Sequence, residues 1–93
     1  MSGTDLKSAK HFIKEHRRDL VERVSIVEPL VDILRQGNAL NQDEYETIRA
    51  GETRAERTRR LLDAVIRKGT KAMDVLYDAL WAQDHYLMKE LSR

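Results

Sequence analysis

The sequence contains no cysteine, one proline, four glycines and only five aromatic residues (one Trp, three Tyr, one Phe) in 93 positions. Without cysteine the chain can form neither a disulfide framework nor a thiolate metal site, and nothing requires an oxidising compartment. The scarcity of aromatics and proline argues against a β-sandwich. No apolar run is long enough to span a membrane, and the N-terminus lacks the apolar core of a secretion signal. We expect a helical, cytoplasmic protein.

The length and composition predict one small domain over residues 1–93. Hydrophobic residues make up 41% of the chain and charged residues 35%, which is a foldable composition with room for a single core but not for a separate catalytic lobe. No glycine-rich phosphate loop or nucleophile elbow is present. His11 and His16 are five residues apart, which does not place both rings on one helical face as a zinc helix requires. We therefore expect no enzymatic activity, cofactor or metal.

The apolar residues recur at the three- and four-residue spacing of amphipathic helices, which predicts an all-α bundle of six short antiparallel helices. Each is at or below the ~12 to 15 residues that make an isolated helix marginally stable, so stability must come from packing. Predicted start signals are Ser25, Asn41, Thr53, Thr70 and Asp84, and predicted ends are Val24, Gly37-Asn38, Gly51 and Gly69. The predicted core comprises Leu6, Ala9, Ile13, Leu20, Val24, Val27, Leu30, Val31, Leu34, Tyr45, Ile48, Leu61, Leu62, Val65, Ile66, Met73, Leu76, Tyr77, Leu80, Leu87 and Leu91.

The formal net charge is only +1, but the charges are segregated along the chain. Between positions 25 and 52 the acids are Glu28, Asp32, Asp43, Glu44, Glu46 and Glu52, against Arg35 and Arg49. Between positions 53 and 72 the bases are Arg54, Arg57, Arg59, Arg60, Arg67, Lys68 and Lys71, against Glu56 and Asp63. Exposed ion pairs contribute only ~0 to 1 kcal/mol within a fold, so stability alone explains so many charges poorly. We interpret the two segments as complementary surfaces that join separate molecules head to tail.

A nucleic-acid-binding helical domain is the alternative interpretation. The helix-4 arginine cluster could grip a phosphate backbone, and it consists of Arg54, Arg57, Arg59, Arg60, Arg67 and Lys68. Against it stand the nearly neutral total charge and the absence of aromatic residues interleaved among the arginines for base stacking.

Six stretches carry a further signal: 11–18 (HFIKEHRR), 25–34 (SIVEPLVDIL), 42–49 (QDEYETIR), 59–66 (RRLLDAVI), 75–80 (VLYDAL) and 86–91 (YLMKEL). In this order and spacing they resemble the helices of a caspase recruitment domain (CARD), over nearly the whole chain. The stretch from His11 to Asp32 is most similar to the C-terminal CARDs of inflammasome adaptors and sensors. Two features depart from those relatives: Pro29, and the loop 67–70, which lacks their aromatic residues.

The resemblance implies a six-helix death-fold bundle with Greek-key topology, within a longer signalling protein. It implies homotypic binding to a CARD-containing adaptor or an inflammatory caspase, and self-association into filaments, in inflammasome or apoptotic innate immune signalling. It also implies a first interface that sets basic residues of helices one and four against acidic residues of helices two and three. The basic face would be Arg17, Arg18, Arg23 and Arg60, the acidic face Glu28, Asp32, Asp43 and Glu44, and Lys68 would serve a second interface.

Overall fold

The structure, a computed structural model, describes residues 9–93. This range is built from α-helices and turns, without a strand. Its seven helices are α1 (Ala9–Glu15), α2 (Arg17–Arg23), α3 (Val27–Gln36), α4 (Gln42–Arg49), α5 (Arg54–Lys68), α6 (Thr70–Gln83) and α7 (His85–Leu91). The all-helical class predicted from the apolar spacing is confirmed. The predicted core residue Leu6 lies outside the described residues.

The first predicted helix is divided into two, so that the described residues hold seven helices where the sequence predicted six. His16 separates α1 from α2 with φ −103° and ψ 18°, outside the helical region. Its imidazole packs on the ring of Phe12, with 4.5 Å between the ring centroids. Backbone bonds continue on both sides, from His16 N to Phe12 O and from Leu20 N to His16 O. The break is therefore a local bend that keeps Arg17 and its neighbours on a short helix of their own.

Two of the predicted helix starts have the side-chain caps expected of them. Asn41 Oδ1 accepts a hydrogen bond from Glu44 N, and Glu44 Oε1 accepts one from Asn41 N, each at 2.8 Å, which completes the capping box of α4. Thr53 Oγ1 accepts a hydrogen bond from Glu56 N at 3.0 Å and caps α5. At the end of α3 it is Asn38, with φ 64°, that takes the left-handed conformation.

Three other start signals lie at or near the start of a helix but do not cap it. Helix α3 begins at Val27 after Ile26, and no side chain caps it, so the predicted Ser25 capping box is wrong. Thr70 is the first residue of α6 rather than its cap, because Gly69 takes the preceding position with φ 111°. Asp84 does precede α7, but its side chain makes no capping bond. Packing, rather than a cap, must hold these three ends.

The core lies around α6, which packs against α1, α3, α5 and α7. Most predicted core residues are buried, whereas Tyr45, Ile66, Tyr77 and Leu91 are half-buried at its margin. Four further large side chains are buried that the sequence pattern did not select: Phe12, Val21, Leu40 and Met88. No helix of the described part is long and apolar enough to cross a bilayer.

Candidate protein-interaction surfaces

The basic residues of α2 open onto a hollow between α2 and α5. Arg18 is 92% exposed and lies 3.8 Å from Glu22, its neighbour one turn on. Arg17 is less exposed, because its Nη2 donates a hydrogen bond of 2.6 Å to Asp63 Oδ1 on α5. The residues that line the hollow are Arg17, Arg18, Val21, Glu22, Ala55 and Arg59. We name this hollow the basic surface.

Arg23 does not line the basic surface. Its guanidinium donates to Glu90 and so joins α2 to α7. That hydrogen bond, with the attraction of nearby carboxylates, raises the pKa of Arg23 above its ordinary value. The structure thus places Arg23 in an intramolecular contact at the C-terminal helix.

Arg60 faces α4 instead of α2. Its Nη1 donates to the carbonyl oxygen of Thr47 at 2.7 Å, and its Nε donates to Glu56 at 3.1 Å. The neighbouring Arg59, which the sequence analysis did not select for the basic face, lines the basic surface beside Arg17. Adjacent helical positions differ by about 100° in direction, so the choice between them depends on which helices flank α5. The sequence alone has no signal for that arrangement.

The acidic residues of α3 are linked to α4 and α5 by a chain of polar contacts. Glu28 pairs with Arg49 Nε at 3.2 Å and with Arg57 Nε at 3.3 Å. Asp32 accepts a hydrogen bond of 2.9 Å from the Tyr45 hydroxyl, which in turn accepts one of 3.2 Å from Arg49. Glu28 and Asp32 both stay on the exposed side of α3. They form the centre of what we name the acidic surface.

The two acids at the start of α4 differ in their surroundings. Glu44 Oε1 accepts bonds from Asn41 N and, at 3.0 Å, from Lys68 Nζ at the end of α5. The Asn41 bond first, and Lys68 after it, hold the pKa of the Glu44 carboxyl below its ordinary value. Asp43 is exposed and lines a hollow that also contains Arg60 and is distinct from the basic surface. Glu44 and Lys68, predicted for two different interfaces, are therefore paired with each other in one molecule.

The arginine cluster that the sequence predicted for a fourth helix lies on α5, where it is dispersed over several contacts rather than gathered into one strip. Arg54 donates to the carbonyl oxygen of Val24 at 2.6 Å, and Arg57 donates to that of Gly51 at 3.0 Å. Arg59 donates to Glu56 at 2.6 Å. These bonds join α5 to its own carboxylates and to neighbouring loops. They leave fewer cations ready for a phosphate backbone than the sequence suggests.

Tyr86 is a candidate contact residue that the sequence analysis did not select. It is the large hydrophobic side chain that the described structure exposes most, at 84%. It stands in the first turn of α7 beside His85, whose ring also packs on Trp81. An aromatic ring in a charged, solvated helix was the available signal, since such rings often anchor interfaces. Within residues 9–93 no group of three or more His, Asp or Glu side chains could hold a metal ion.

Comparison with known proteins identifies the family. The family description that matches residues 10–93 is the caspase recruitment domain. Among curated relatives, the chain is 42% identical over 85 residues to the zebrafish (Danio rerio) "Apoptosis-associated speck-like protein containing a CARD". It is 36% identical over 87 residues to the mouse (Mus musculus) "NACHT, LRR and PYD domains-containing protein 1b allele 3".

The alignments cover 90% and 94% of this chain, but only 42% of the zebrafish protein and 7% of the mouse protein. The chain therefore spans less than half the length of these relatives. A solved structure described as "Structure of unknow protein 4" superposes with a TM-score of 0.85 at 32% identity, and the match covers 88% of this chain and 94% of that one. From the family match together with these relatives, the chain belongs to the caspase recruitment domain family.

Proposed function

We propose that this domain is a homotypic interaction module that assembles with other CARDs in inflammasome or apoptotic innate immune signalling. The observation that carries the proposal is the separation of two charged surfaces on one body. The basic surface lies between α2 and α5, and the acidic surface lies on α3 and the start of α4. Opposite charges at distinct places favour a contact in which one copy's basic surface meets the next copy's acidic surface.

Such a contact is heterologous, because each molecule uses two different patches. A heterologous contact closes a ring only for particular rotations and otherwise continues as an open helix. We therefore propose filaments as the assembled form, with this domain as a seed or a subunit. Arg17 and Arg18 would supply the basic side together with Arg59, and Asp32 and Asp43 would supply the acidic side, because these residues remain accessible.

The proposed partners are a CARD-containing adaptor, an inflammatory caspase or another copy of the same domain, acting in the cytoplasm. The family match and the similarity to an apoptosis-associated protein that contains a CARD support partners with a CARD. We further propose that the domain is one part of a longer signalling protein, since it matches only a portion of its relatives' length. Lys68 and Tyr86 are proposed for further contacts, with Lys68 first having to exchange its bond to Glu44.

Charge-reversal variants test the proposal directly. The purified domain is imaged by negative-stain electron microscopy over a range of protein concentration, as wild type and as Arg17→Glu and Asp32→Arg. Assembly by wild type and its loss in both variants is the expected result. Asp78→Arg, at an exposed position on α6, is the matched control for Asp32→Arg, because it makes the same charge change at a residue outside both surfaces. Each variant's thermal melt must show that it folds.

Two comparisons sharpen the result. Arg59→Glu should impair assembly more than Arg60→Glu does at equal stability, because only Arg59 lines the basic surface. Mixing Arg17→Glu with Asp32→Arg should restore pairwise binding, since each copy retains one intact surface. Wild type that stays monomeric at every concentration would rule out self-assembly. Assembly that requires added RNA, and that weakens steeply with salt, would instead support nucleic-acid binding.

A further inference from the structure

The arginines of the basic side are already paired with carboxylates of their own chain. Arg17 is bound to Asp63, and Arg59 is bound to Glu56, both at 2.6 Å. A partner carboxylate that approaches Arg17 meets a guanidinium whose Nη2 is occupied and whose charge is offset by Asp63. Binding there is thus an exchange of one ion pair for another, and only the surplus appears as affinity.

Asp63 can compete with a partner carboxylate for Arg17 without being needed for the fold. It lies on the outer side of α5, and its side chain is 54% exposed, so that water screens its bond to Arg17. The residues that hold α5 in the core are its neighbours Leu61, Leu62 and Val65, all buried. Removing the charge of Asp63 therefore leaves the packing of the helix intact.

We propose that Asp63 is an autoinhibitory residue: its carboxylate occupies Arg17 in the monomer and lowers the affinity of the basic surface for an acidic partner. The inference rests on the proposed function of that surface. The acidic partner it concerns is a second copy of this chain, whose acidic surface presents Asp32. Asp63 raises the protein concentration at which the domain assembles, and so opposes assembly at low abundance.

Two variants that can form only one contact with each other isolate the effect of Asp63 on binding. One copy, the acceptor, has Arg17→Glu and keeps only its acidic surface; the other, the donor, has Asp32→Arg and keeps only its basic surface. Mixed, they can form the charge-paired contact once and cannot extend it. Their dissociation constant is measured by fluorescence anisotropy with the donor carrying either native Asp63 or Asp63→Asn. The expected result is tighter binding by Asp63→Asn, by about two- to fivefold, the range of one exposed ion pair.

Asp78→Asn in the donor is the matched control, because it removes the same charge from an exposed position on α6 away from the basic surface. It should change the dissociation constant much less than Asp63→Asn. Equal effects of the two would mean that net charge alone acts, and weaker binding by Asp63→Asn would mean that Asp63 orders Arg17 for the partner; either overturns the proposal. Failure of donor and acceptor to bind at all would overturn the proposed function, and the role of Asp63 with it.

Thermal melts separate this result from a folding effect. Asp63→Asn should melt within a few degrees of wild type, since an exposed pair contributes at most about 1 kcal/mol. A second donor, Asp63→Ser, removes the carboxylate with a smaller side chain and should reproduce the tighter binding. If Asp63→Asn binds more tightly but Asp63→Ser does not, the asparagine amide has made a new contact and autoinhibition is rejected.

Discussion

Replacing Glu28 by Ala should destabilise the fold, although Glu28 is a predicted interface residue. Its carboxylate lies 3.2 Å from Arg49 and 3.3 Å from Arg57, and so links α3 to α4 and α5. The Nε atom of Arg57 is buried and makes no hydrogen bond within the described structure, which leaves Glu28 as its compensating charge. Two half-exposed ion pairs contribute ~0 to 1 kcal/mol each. The Arg57 pair lies in the upper part of that range, because water screens its buried Nε less than it screens the more exposed Arg49.

We therefore expect Glu28→Ala to lower the free energy of unfolding by about 1 to 2 kcal/mol, a sizeable share of a small domain's stability. Asp32→Ala is the comparison, because Asp32 accepts one hydrogen bond from the Tyr45 hydroxyl and should cost only about 0.5 to 1.5 kcal/mol. Urea unfolding followed by circular dichroism measures both, at an ionic strength that keeps each variant monomeric. Equal, small losses in the two variants would refute the supporting role of Glu28.

A double-mutant cycle identifies the source of the loss. If Arg57 is the partner that matters, Glu28→Ala should cost much less in an Arg57→Met background, where no buried guanidinium nitrogen remains. The same cycle with Arg49→Met should show weaker coupling, because Arg49 is more exposed. Additive losses in both cycles would place the effect elsewhere, for example in the favourable position of an acid in the first turn of α3. Because Glu28 is also a predicted interface residue, a loss of assembly in Glu28→Ala can be interpreted only once the stability of that variant is known.

Three further predictions concern the stability of the bundle. Leu76→Ala should lower the free energy of unfolding by about 2 to 5 kcal/mol, because the side chain is fully buried in α6. A urea unfolding curve that coincides with that of wild type would contradict the core assignment. Gly51→Ala should cost about 1 to 3 kcal/mol by overpacking, because the added Cβ would stand 2.9 Å from Arg57 Cγ and 3.1 Å from its backbone nitrogen; an unchanged urea midpoint would show that the turn relaxes freely. The Glu44 carboxylate, whose pKa is lowered in the fold, stabilises above its unfolded pKa of about 4.3, and this stability is lost as pH falls through the folded value. Glu44→Gln should flatten the fall in melting temperature between about pH 5 and 3, and an unaltered slope would mean that Glu44 does not carry it.

Local signals predicted much of this fold because they act over one or two helical turns. The capping box at Asn41 forms as expected, since both of its hydrogen bonds join residues three positions apart. Leu61, Leu62 and Val65 of the apolar stripe of α5 are likewise buried and Ile66 is half-buried, because a 3.6-residue period admits only one core-facing side. The capping box predicted for Ser25 does not form, although its spacing to Glu28 is right. The Glu28 side chain instead pairs with Arg49 and Arg57 from other helices, and such tertiary contacts are not visible in local spacing.

The sequence shows the charge of each candidate surface residue but not which residues of its own chain that side chain contacts. Segregated acids and bases, read along the chain, indicate two surfaces of opposite sign, and the sequence motifs indicate the family. Which arginine of α5 stands beside Arg17 depends on the helix that packs there, and the structure has Arg59 in that place and Arg60 at α4. Tyr86 escaped selection because its exposure depends on how α7 lies on the bundle.

By itself, the sequence determined the all-helical class, most of the core and the family, because apolar period, turn residues and motif order are properties of the chain read locally. Only the tertiary structure decided which charges remain available to a partner. Arg17 meets Asp63 across 46 positions and Glu44 meets Lys68 across 24, and each pair forms only when packing brings distant helices together. Coulomb energy depends on distance in space and on solvent exposure, neither of which a linear pattern of charges contains.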